Sequence, residues 1–418
     1  GGVMTADARV RVDTDRPEIG EALETLAGVV RETGGSLADG LYVRAREGEL
    51  TLASDGPRER AARLLFVPYA AMPDSTRFPV TLRDQRFVAA APADDAPAPG
   101  TPTARAHAAM LEIYNQMGKP QQWARQSPWL TLWHDPPVLD HLLGPAAAND
   151  PAGTGPLALY RAGRWDELLV SSFIKSRVFN LKAGKAPDGQ GAQVLMPFID
   201  FLNHHVQARG FQHVVADNGV GGLYTFQDRP VAGSDECFVR YNLMDTHTAF
   251  IGYGFLDDSA PYSVSQATTL TLSDGLQIQV RRQAAKGFAK KLPQKMRSLQ
   301  IYMPQVVSNH PDKMAVSRLL IPGANAPRAL RRVLATLIAR KRQSWSEARV
   351  DAAVREAEAQ LLAVNHRYFD ALAALAADAR ARSEADDPPG RKATLRAVDA
   401  LVVRNKRHLH AYQDRLEG

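Results

Sequence analysis

Four polar side chains that could bind a ligand or a metal ion lie within six positions of one another. Asp200, Asn203, His204 and His205 stand in the stretch PFIDFLNHHV, where bulky apolar residues fill most of the positions around them. Burying a carboxylate, an amide and two imidazoles among such residues is costly unless each polar group has a partner. The stretch is therefore either a functional site or a structural cluster of satisfied polar groups, and these residues alone leave both open.

Two tyrosines farther along the chain could also serve a reaction. Tyr241 ends the stretch CFVRY, and Tyr253 stands twelve positions later in the stretch GYGF. Oxygen atoms attract polarised methyl groups weakly, so a phenol beside an electron-poor methyl group makes chemical sense. The alternative for each tyrosine is a core aromatic ring whose hydroxyl is hydrogen-bonded, the usual state of a buried tyrosine.

The order of these motifs resembles that of the SET-domain methyltransferases. The stretch PFIDFLNHH is similar to their P-x-x-D-x-x-N-H signature, and the Y-G-F that begins at Tyr253 is similar to a second signature. That second signature belongs to the subgroup typified by the Rubisco large-subunit lysine methyltransferase. Shorter matches stand in the family's order at Gly48-Glu49, Val67-Pro68 and Ser176-Arg177-Val178-Phe179. Each motif is weak alone, but several in one order over residues 40–260 are not expected by chance.

The resemblance implies an α+β fold with three parts. These are a SET-domain β-fold with a pseudoknot, in which two segments cross, a helical insert, and a C-terminal all-α helical domain. The predicted N-terminal part of the SET core is 1–90, and the mostly helical insert is 91–182. The C-terminal part of the core, with the cofactor and catalytic motifs, is 183–283. Residues 284–418 are predicted to form the helical domain that binds the substrate.

From about Asp312 the sequence is predicted to be helical. One buried stripe at helical spacing consists of Leu330, Val333, Leu334, Leu337 and Ile338. The interspersed basic residues, which predict a solvated surface, are Arg331, Arg332, Arg340, Lys341 and Arg342. Two further helices are predicted over residues 354–375 and from Leu395, with a break at 386–390. Three long helices with polar links favour an antiparallel bundle.

The resemblance implies S-adenosylmethionine as the cofactor. In the family, the Asn side chain and the His backbone of the N-H signature bind the cofactor's amino group and adenine, which points to Asn203 and His204. The family's S-R-x-F arginine lies near the cofactor carboxylate, and a bidentate pair would suit Arg177 for that task. Gly40, in the glycine-rich turn, and Phe255, in the Y-G-F motif, are also predicted to bind the cofactor. The alternatives are a surface cation for Arg177 and an ordinary turn for Gly40.

The implied reaction is methyl transfer to an amine. Displacement at a sulfonium methyl needs a neutral amine in line with methyl and sulfur, and water excluded. A free lysine has a pKa of about 10.4, so burial must disfavour its ammonium form. The resemblance assigns Tyr253 and Tyr241 as catalytic residues of one channel. The predicted function is therefore an S-adenosylmethionine-dependent methyltransferase that acts on a protein side-chain amine, with lysine as the first choice.

Departures from the family pattern keep other functions open. The glycine cluster that ends at Gly40 differs from the family's G-x-G turn, and Asn242 and Thr246 replace the usual Gly and Asn after Tyr241. The chain could accordingly be a SET-like protein-binding module without catalytic activity. His247 could be a satisfied or exposed histidine, or could face the substrate. A methyltransferase that acts on histidine or on a small-molecule amine is the further alternative.

A metal site is a third hypothesis. Asp200 and His204 are four positions apart and could share a helix face, with His205 beside them. No distant third ligand can be named, however, and a metal ion held by protein needs one. No metal ligands are therefore assigned.

Composition limits the other classes of protein to which the chain could belong. The chain of 418 residues has a formal net charge of +6 and a pI of about 9.4, a mild excess that does not demand a nucleic acid. Cys237 is the single cysteine, which excludes an intramolecular disulfide and a cysteine-rich zinc cluster. No apolar run approaches the roughly 18–20 residues that span a bilayer. The opening Gly1-Gly2-Val3 is interpreted as an artificial extension before Met4 rather than a signal peptide, so a cytoplasmic enzyme with a protein substrate is expected.

Overall fold

The structure, a computed structural model, describes residues 10–57, 62–144, 155–186, 191–242, 244–282, 293–382 and 384–417. The chain divides into two compact units. The first consists of Gly1–Arg125 and Ala158–Leu243, and the second consists of Gln126–Leu157 and Met244–Gly418. The four-part division with boundaries near residues 90, 182 and 283 stays a prediction. The extension predicted before Met4 lies outside the described residues.

The described residues contain short strands and longer helices in both units. The strands of the first unit are β1 Arg11–Thr14, β2 Ser36–Leu37, β3 Leu41–Arg46, β4 Glu49–Ser54, β5 Arg63–Pro68, β6 Val80–Arg83, β7 Arg86–Ala89, β8 Phe179–Leu181, β9 Ala192–Val194, β10 Asn203–His204, β11 Gln212–Val215, β12 Gly221–Phe226 and β13 Phe238–Val239. Those of the second unit are β14 Tyr262–Val264, β15 Thr268–Thr271, β16 Gln277–Val280, β17 Val306–His310, β18 Lys313–Val316 and β19 Leu320–Pro322.

The helices follow the same order along the chain. They are α1 Ile19–Glu32, α2 Pro102–Gln116, α3 Lys119–Gln126, α4 Pro128–Thr131, α5 Pro136–Leu143, α6 Pro156–Arg161, α7 Trp165–Lys175, α8 Thr246–Tyr253, α9 Ala329–Lys341, α10 Glu347–Ala381 and α11 Arg391–Glu417. Short 3₁₀ turns are Tyr69–Ala71, Ile199–Phe201 and Gln294–Leu299. The mostly helical stretch predicted over residues 104–182 is confirmed by α2 to α7. The mixture of elements, with three long helices at the C-terminal end, confirms the predicted α+β class.

Two sheets form the frame of the first unit. One has the order β1-β3-β4 and the other the order β11-β12-β5-β2. The predicted hairpin of β3 and β4 is confirmed, with Arg46 paired to Glu49. Its two-residue turn places Glu47 and Gly48 at φ values of 52° and 79°, the left-handed conformation that tight hairpins use.

A parallel pair of strands joins two distant segments of the first unit. Asn203 of β10 lies opposite Phe238 of β13, and His204 lies opposite Val239. The backbone N–H of His205 extends this pairing by donating to the carbonyl of Val239 at 3.1 Å. The N-H signature therefore lies directly beside the strand that leads to Tyr241.

Helix α1 differs from the expectation for the N-terminal region. Residues 17–90 are expected to hold short strands and turns, but Ile19–Glu32 is a helix. Its buried face includes Ile19, Leu23, Leu26 and Val30, which recur at helical spacing and pack the helix toward α2. The prediction is wrong there because these apolar residues follow a 3.6-residue period, which is typical of a helix.

The C-terminal region predicted to be a helical bundle contains strands before its long helices. The predicted helical start near Asp312 is wrong, since Lys313–Val316 is β18 in the sheet β15-β16-β18-β17. Backbone groups of β18 pair with β16 on one side and β17 on the other, which satisfies them without a helix. The first long helix starts only at Ala329, after β19 has paired with β14.

Helices α9, α10 and α11 pack in sequence, α9 on α10 and α10 on α11. The predicted stripe of Leu330, Val333, Leu334, Leu337 and Ile338 is confirmed as buried. The predicted solvated basic surface is wrong for two of its members. Arg331 forms an ion pair with buried Glu358 at 3.0 Å, and Arg342 forms one with Asp274 at 2.7 Å. Arg332 and Arg340 are exposed.

Candidate functional site

His204 and Tyr241 meet beside the parallel strand pair. The backbone N–H of Tyr241 donates to Nδ1 of His204 at 3.0 Å, and the two rings lie 5.3 Å apart. Because Nδ1 accepts this bond, the neutral imidazole carries its proton on Nε2. The Tyr241 hydroxyl donates to the carbonyl of Leu202 at 2.7 Å. The pairing of β10 with β13 thus brings together two of the predicted site residues.

Asn203 presents its amide on the exposed side of the same strand. Its side chain is exposed, and Nδ2 donates to Oε2 of Glu236 at 3.4 Å. Burial raises the pKa of Glu236, while the bond from Asn203 lowers it, and the net direction is upward. Glu236, in the turn before β13, contacts a predicted site residue and was not itself predicted to belong to the site.

Arg177 is held by Asp200 rather than lying free on the surface. Its Nη1 lies 2.7 Å from Oδ2 of Asp200, a carboxylate that is only 4% exposed. The Tyr114 hydroxyl donates to the same oxygen at 2.6 Å. The guanidinium carbon also lies 4.5 Å from the ring centroid of Phe173, which fixes its plane. The alternative of a surface cation for Arg177 is therefore wrong.

The charge of Arg177 is secured by its surroundings. Burial alone would lower the pKa of Arg177, but Asp200 and the nearby phenols of Tyr114 and Tyr241 outweigh burial and raise it. Its Nε is buried and has no hydrogen-bond partner among the described residues. A buried donor without a partner costs about 1–3 kcal/mol. This N–H is available to an acceptor that the described residues do not supply.

A strained turn sets the position of Asp200. Phe198 has a φ of 62°, which is uncommon for a residue with a side chain, and it is fully buried. Its ring meets Phe201 edge-on at 5.8 Å, and the Asp200 N–H donates to the carbonyl of Met196 at 3.0 Å. A non-glycine residue in this region costs on the order of 1–3 kcal/mol. Packing of the two rings therefore holds a turn that a free chain would avoid.

Lys119 is a second cation near Arg177, and it was not predicted. Its Nζ donates to the carbonyl of Gly48 at 3.1 Å and to Oε1 of Gln122 at 3.2 Å. Burial lowers the pKa of Lys119 to about 8, and the positive charge of Arg177 contributes to the same shift. Glu49 and Asp200 act in the opposite direction.

Gly40 is explained by packing within the chain. A Cβ at this position would stand 2.6 Å from the backbone N of Gly56 and 2.8 Å from its Cα. Those distances are too short for any side chain, so the residue must be glycine whatever else it does. A role for Gly40 in cofactor binding stays a prediction.

Tyr253 and Phe255 belong to the second unit, whereas the other predicted site residues belong to the first. Tyr253 ends α8, and its ring lies 5.8 Å from that of Phe255. Gly254 between them has a φ of 74°, and a Cβ there would stand 2.9 Å from the carbonyl oxygen of Gln126. The Gln126 amide in turn donates to the carbonyl of Tyr253 at 3.1 Å. Glycine is therefore required in the centre of the Y-G-F motif.

The hydroxyl of Tyr253 is protonated at neutral pH, because a phenol has an ordinary pKa of about 10 and burial raises the pKa of Tyr253 further. The residue therefore offers a neutral phenol, which can donate a hydrogen bond and present an oxygen dipole, but it is not a base.

His247 is a satisfied buried histidine. It is 3% exposed in α8, its Nε2 contacts the carbonyl of Leu142 at 2.9 Å, and its Nδ1 contacts Nε2 of Gln266 at 3.4 Å. Burial lowers the pKa of His247 to about 3, so the ring is neutral. The interpretation of a satisfied histidine is confirmed, and the suggestion that His247 faces a substrate is wrong.

The metal hypothesis finds no support in the described ranges. No three His, Cys, Asp or Glu side chains within them are grouped so that they could hold a metal ion. Asp200 uses Oδ2 to accept from Tyr114 and Arg177, and His204 accepts from Tyr241. No helix of the described chain is long and apolar enough to cross a membrane.

Comparison with solved structures finds SET domains. The SET domain of LSMT bound to lysine and AdoHcy is 12% identical, with a TM-score of 0.43, and the match covers 94% of this chain and 93% of that one. Rubisco LSMT bound to AdoMet is 13% identical, with a TM-score of 0.40 and 93% of each chain covered. Rubisco LSMT bound to sinefungin and monomethyllysine gives the same values.

The resemblance indicated by the motifs is found again in this comparison. No protein-family model matches the chain, and no curated protein matches it. At these identities and TM-scores the likeness carries no argument about activity. The function proposed below therefore rests on the residues of this chain.

Proposed function

We propose that this protein is an S-adenosylmethionine-dependent methyltransferase that transfers a methyl group to a protein side-chain amine, with lysine as the acceptor. The observation that carries the proposal is the parallel pairing of β10 with β13. It places the Asn203-His204 signature against Tyr241, two motifs that stand in the order of the SET family.

The first unit has donors that suit the amino-acid end of such a cofactor. The buried Nε–H of Arg177 lacks a partner within the described chain, and a carboxylate is the acceptor that a guanidinium binds best. The exposed amide of Asn203 stands beside Glu236, so a carbonyl and a carboxylate are available to a ligand ammonium group. When bound, S-adenosylmethionine would supply the electrophilic methyl group. The chain's own contribution is to bind and orient it.

The tyrosines would act as neutral dipoles. Tyr241 has its hydroxyl proton directed to the carbonyl of Leu202 at 2.7 Å, so its phenol is held as a neutral dipole. Tyr253 keeps its proton because burial raises its pKa. Oxygens of this kind hold a polarised methyl group weakly, and the resulting alignment with a neutral amine accelerates displacement. Neither residue needs to remove the proton of the substrate.

Calorimetric titration of the full-length chain with S-adenosylmethionine and S-adenosylhomocysteine tests the proposal. One site per chain is expected for both compounds. The alternative, a SET-like protein-binding module, is favoured by Gly40, whose packing against Gly56 explains the altered glycine turn without a ligand. Absence of heat at millimolar concentrations of both compounds would support that alternative and refute the methyltransferase.

The acceptor is tested separately by acid hydrolysis of radiolabelled protein. Label recovered as methyllysine is the expected result. Label in methylhistidine would identify the histidine alternative, and label confined to small molecules would refute a protein substrate.

A further inference from the structure

Lys119 is a partly buried lysine whose charge the nearby chain does not balance. Its Nζ bonds only to neutral oxygens, the Gly48 carbonyl and the Gln122 amide, among the described residues. Among carboxylates, Glu49 raises the pKa of Lys119 most, and its side chain is exposed at the start of β4. An ammonium group has three donors, and two are used in these bonds. The third remains for another acceptor.

Two cations share this part of the first unit with one buried carboxylate. Helix α3 packs beside α7, because Trp123, one turn after Lys119, donates from Nε1 to Ser172 Oγ at 2.9 Å. The Trp123 ring lies 6.0 Å from the ring of Phe173, which also contacts the guanidinium of Arg177. In this arrangement the charge of Arg177 contributes to lowering the pKa of Lys119.

Asp200 is engaged by Nη1 of Arg177 and by the Tyr114 hydroxyl, and no ion pair joins it to Lys119 within the described ranges. Glu49 and Asp200 offset the two positive charges only in part, because the pKa of Lys119 stays below its ordinary value. An anion bound beside both cations would complete the balance of charge.

The unpaired Nε of Arg177 points to the same missing anion. Natural proteins rarely leave such a buried donor without an acceptor. The guanidinium is restrained by two contacts, since its carbon lies 4.5 Å from the Phe173 ring centroid and Nη1 lies 2.7 Å from Asp200. An incoming carboxylate could accept from this N–H and lie within the field of Lys119.

We infer that Lys119 is a second cationic ligand, beside Arg177, for the carboxylate at the amino-acid end of the cofactor, an inference that rests on the proposed function. Helix α3 supplies the residue, and its contact with Gly48 fixes the ammonium group on the β3–β4 turn. Binding of the carboxylate relieves the repulsion between the two cations. It also raises the affinity of Lys119 for its proton.

A purely structural role is the alternative for Lys119. Gln122 bonds to the same carbonyl of Gly48 at 2.8 Å, so both side chains hold the β3–β4 turn against α3. If Lys119 only positioned that turn, its loss would weaken every ligand of the site equally. Gln122→Met disturbs the same turn without removing a charge and serves as the matched control.

The test compares two ligands in the full-length protein. S-adenosylhomocysteine carries the amino-acid end, and 5′-methylthioadenosine lacks it. Lys119→Met is expected to weaken S-adenosylhomocysteine about ten- to a hundredfold, the loss of a hydrogen bond to a charged group, and to leave 5′-methylthioadenosine unchanged. Lys119→Arg should restore most of the affinity. Gln122→Met keeps the charge of Lys119 but removes one hydrogen-bond partner of its ammonium group, so it should change the ratio of the two affinities much less than Lys119→Met does.

A second measurement follows the proton that Lys119 takes up when the ligand binds. Calorimetry in buffers of different ionisation enthalpy should detect proton uptake on binding S-adenosylhomocysteine near pH 8.5, because Lys119 with a pKa of about 8 is then partly neutral and the bound carboxylate recharges it. At pH 6.5 this uptake should vanish. In Lys119→Met the uptake at pH 8.5 should be smaller than in the parent chain.

Three results would overturn the inference. They are an unchanged affinity of Lys119→Met for S-adenosylhomocysteine, an equal loss for both ligands, and no proton uptake in the parent chain at pH 8.5. In each of these the parent chain still binds S-adenosylhomocysteine, so the proposed function survives. If the parent chain binds neither ligand, the proposed function fails and the inference fails with it.

Discussion

The imidazole of His204 accepts a hydrogen bond at its Nδ1 from the backbone N–H of Tyr241, 3.0 Å away. This bond connects the N-H signature to Tyr241, which stands two residues after β13. It also orients the His204 ring. Small shifts in either strand would change both predicted ligand-binding positions together.

Replacing Asn203 by alanine should weaken cofactor binding and leave the fold intact. The amide is exposed and makes one long bond, to Glu236 at 3.4 Å, so the chain loses little when it is removed. A bound ligand would lose a specific partner, and S-adenosylhomocysteine affinity should fall by about 1–3 kcal/mol. Isothermal titration calorimetry measures this change in affinity. Gln207→Ala, at a nearby exposed position, is the control, and an equal loss in both variants would contradict the assignment.

Tyr253→Phe should reduce turnover while cofactor affinity stays close to that of the parent chain. The change removes one hydroxyl and keeps the ring that packs 5.8 Å from Phe255. An interaction made only in the transition state lowers kcat and kcat/KM together. Tyr302→Phe, which removes a buried phenol elsewhere in the second unit, should leave turnover unchanged. Equal turnover in the two variants would remove Tyr253 from the mechanism.

Asp200→Asn should destabilise the first unit. The substitution leaves Arg177 partly buried beside a neutral amide, and the loss should be on the order of 3 kcal/mol, the low end for a buried pair because Arg177 keeps some solvent contact. Urea unfolding gives the value. Exposed Asp217→Asn in the same unit is the control. A loss below about 0.5 kcal/mol, typical of surface changes, would show that the ion pair is not structural.

His247 should make the second unit less stable in acid. Its pKa is lowered by burial to about 3, below the ordinary value of 6.5, so the unfolded chain binds a proton that the folded chain refuses. Stability is therefore fully retained above pH 6.5 and falls as the pH decreases toward 3. His247→Gln should flatten this part of the profile of unfolding free energy against pH. An unchanged slope in the variant would contradict the assignment.

The helices after Ala329 are proposed to hold the protein substrate, and the structure changes how that is tested. Deleting everything after Pro311 would remove β18 and β19 from their sheets, so loss of activity would only report misfolding. Charge reversal at exposed Arg332 and Arg340 should raise KM for a protein substrate with less effect on kcat, more so at low salt. Steady-state methyl transfer at two salt concentrations measures this.

Arg331→Gln supplies the contrast for that test. It breaks the ion pair with buried Glu358, whose carboxylate also accepts from Tyr412 at 2.9 Å. The expected effect is a lower melting temperature at unchanged KM. If Arg332→Glu and Arg340→Glu leave KM as it is at both salt concentrations, this basic surface does not bind the substrate.

Local patterns were sufficient for elements whose partners lie close in sequence. The β3–β4 hairpin has its turn at Glu47 and Gly48, and the apolar stripe of α9 is buried as its spacing indicates. Helix α1 carried the same kind of signal, with Ile19, Leu23 and Leu26 on one face, and could have been found by the same count.

Some side chains have hydrogen-bond or ion-pair partners in distant segments, and local sequence patterns do not predict those contacts. His247 is satisfied by the carbonyl of Leu142, 105 positions away, and no local pattern announces that bond. The surroundings of Lys119 include Gly48, which stands 71 positions before it, and Arg177, which stands later in the chain. Arg331 resembled a surface cation because its partner Glu358 lies on the next helix.

Transfer of tritiated methyl from S-adenosylmethionine to lysate protein tests the central claim most directly. The full-length chain should label at least one protein, acid hydrolysis should yield methyllysine, and Tyr253→Phe should label the same protein far more slowly. The reaction must be run at matched concentrations of folded protein, with melting curves as the check. No incorporation by a full-length chain that is folded, at any tested pH between 7 and 9, would contradict the methyltransferase.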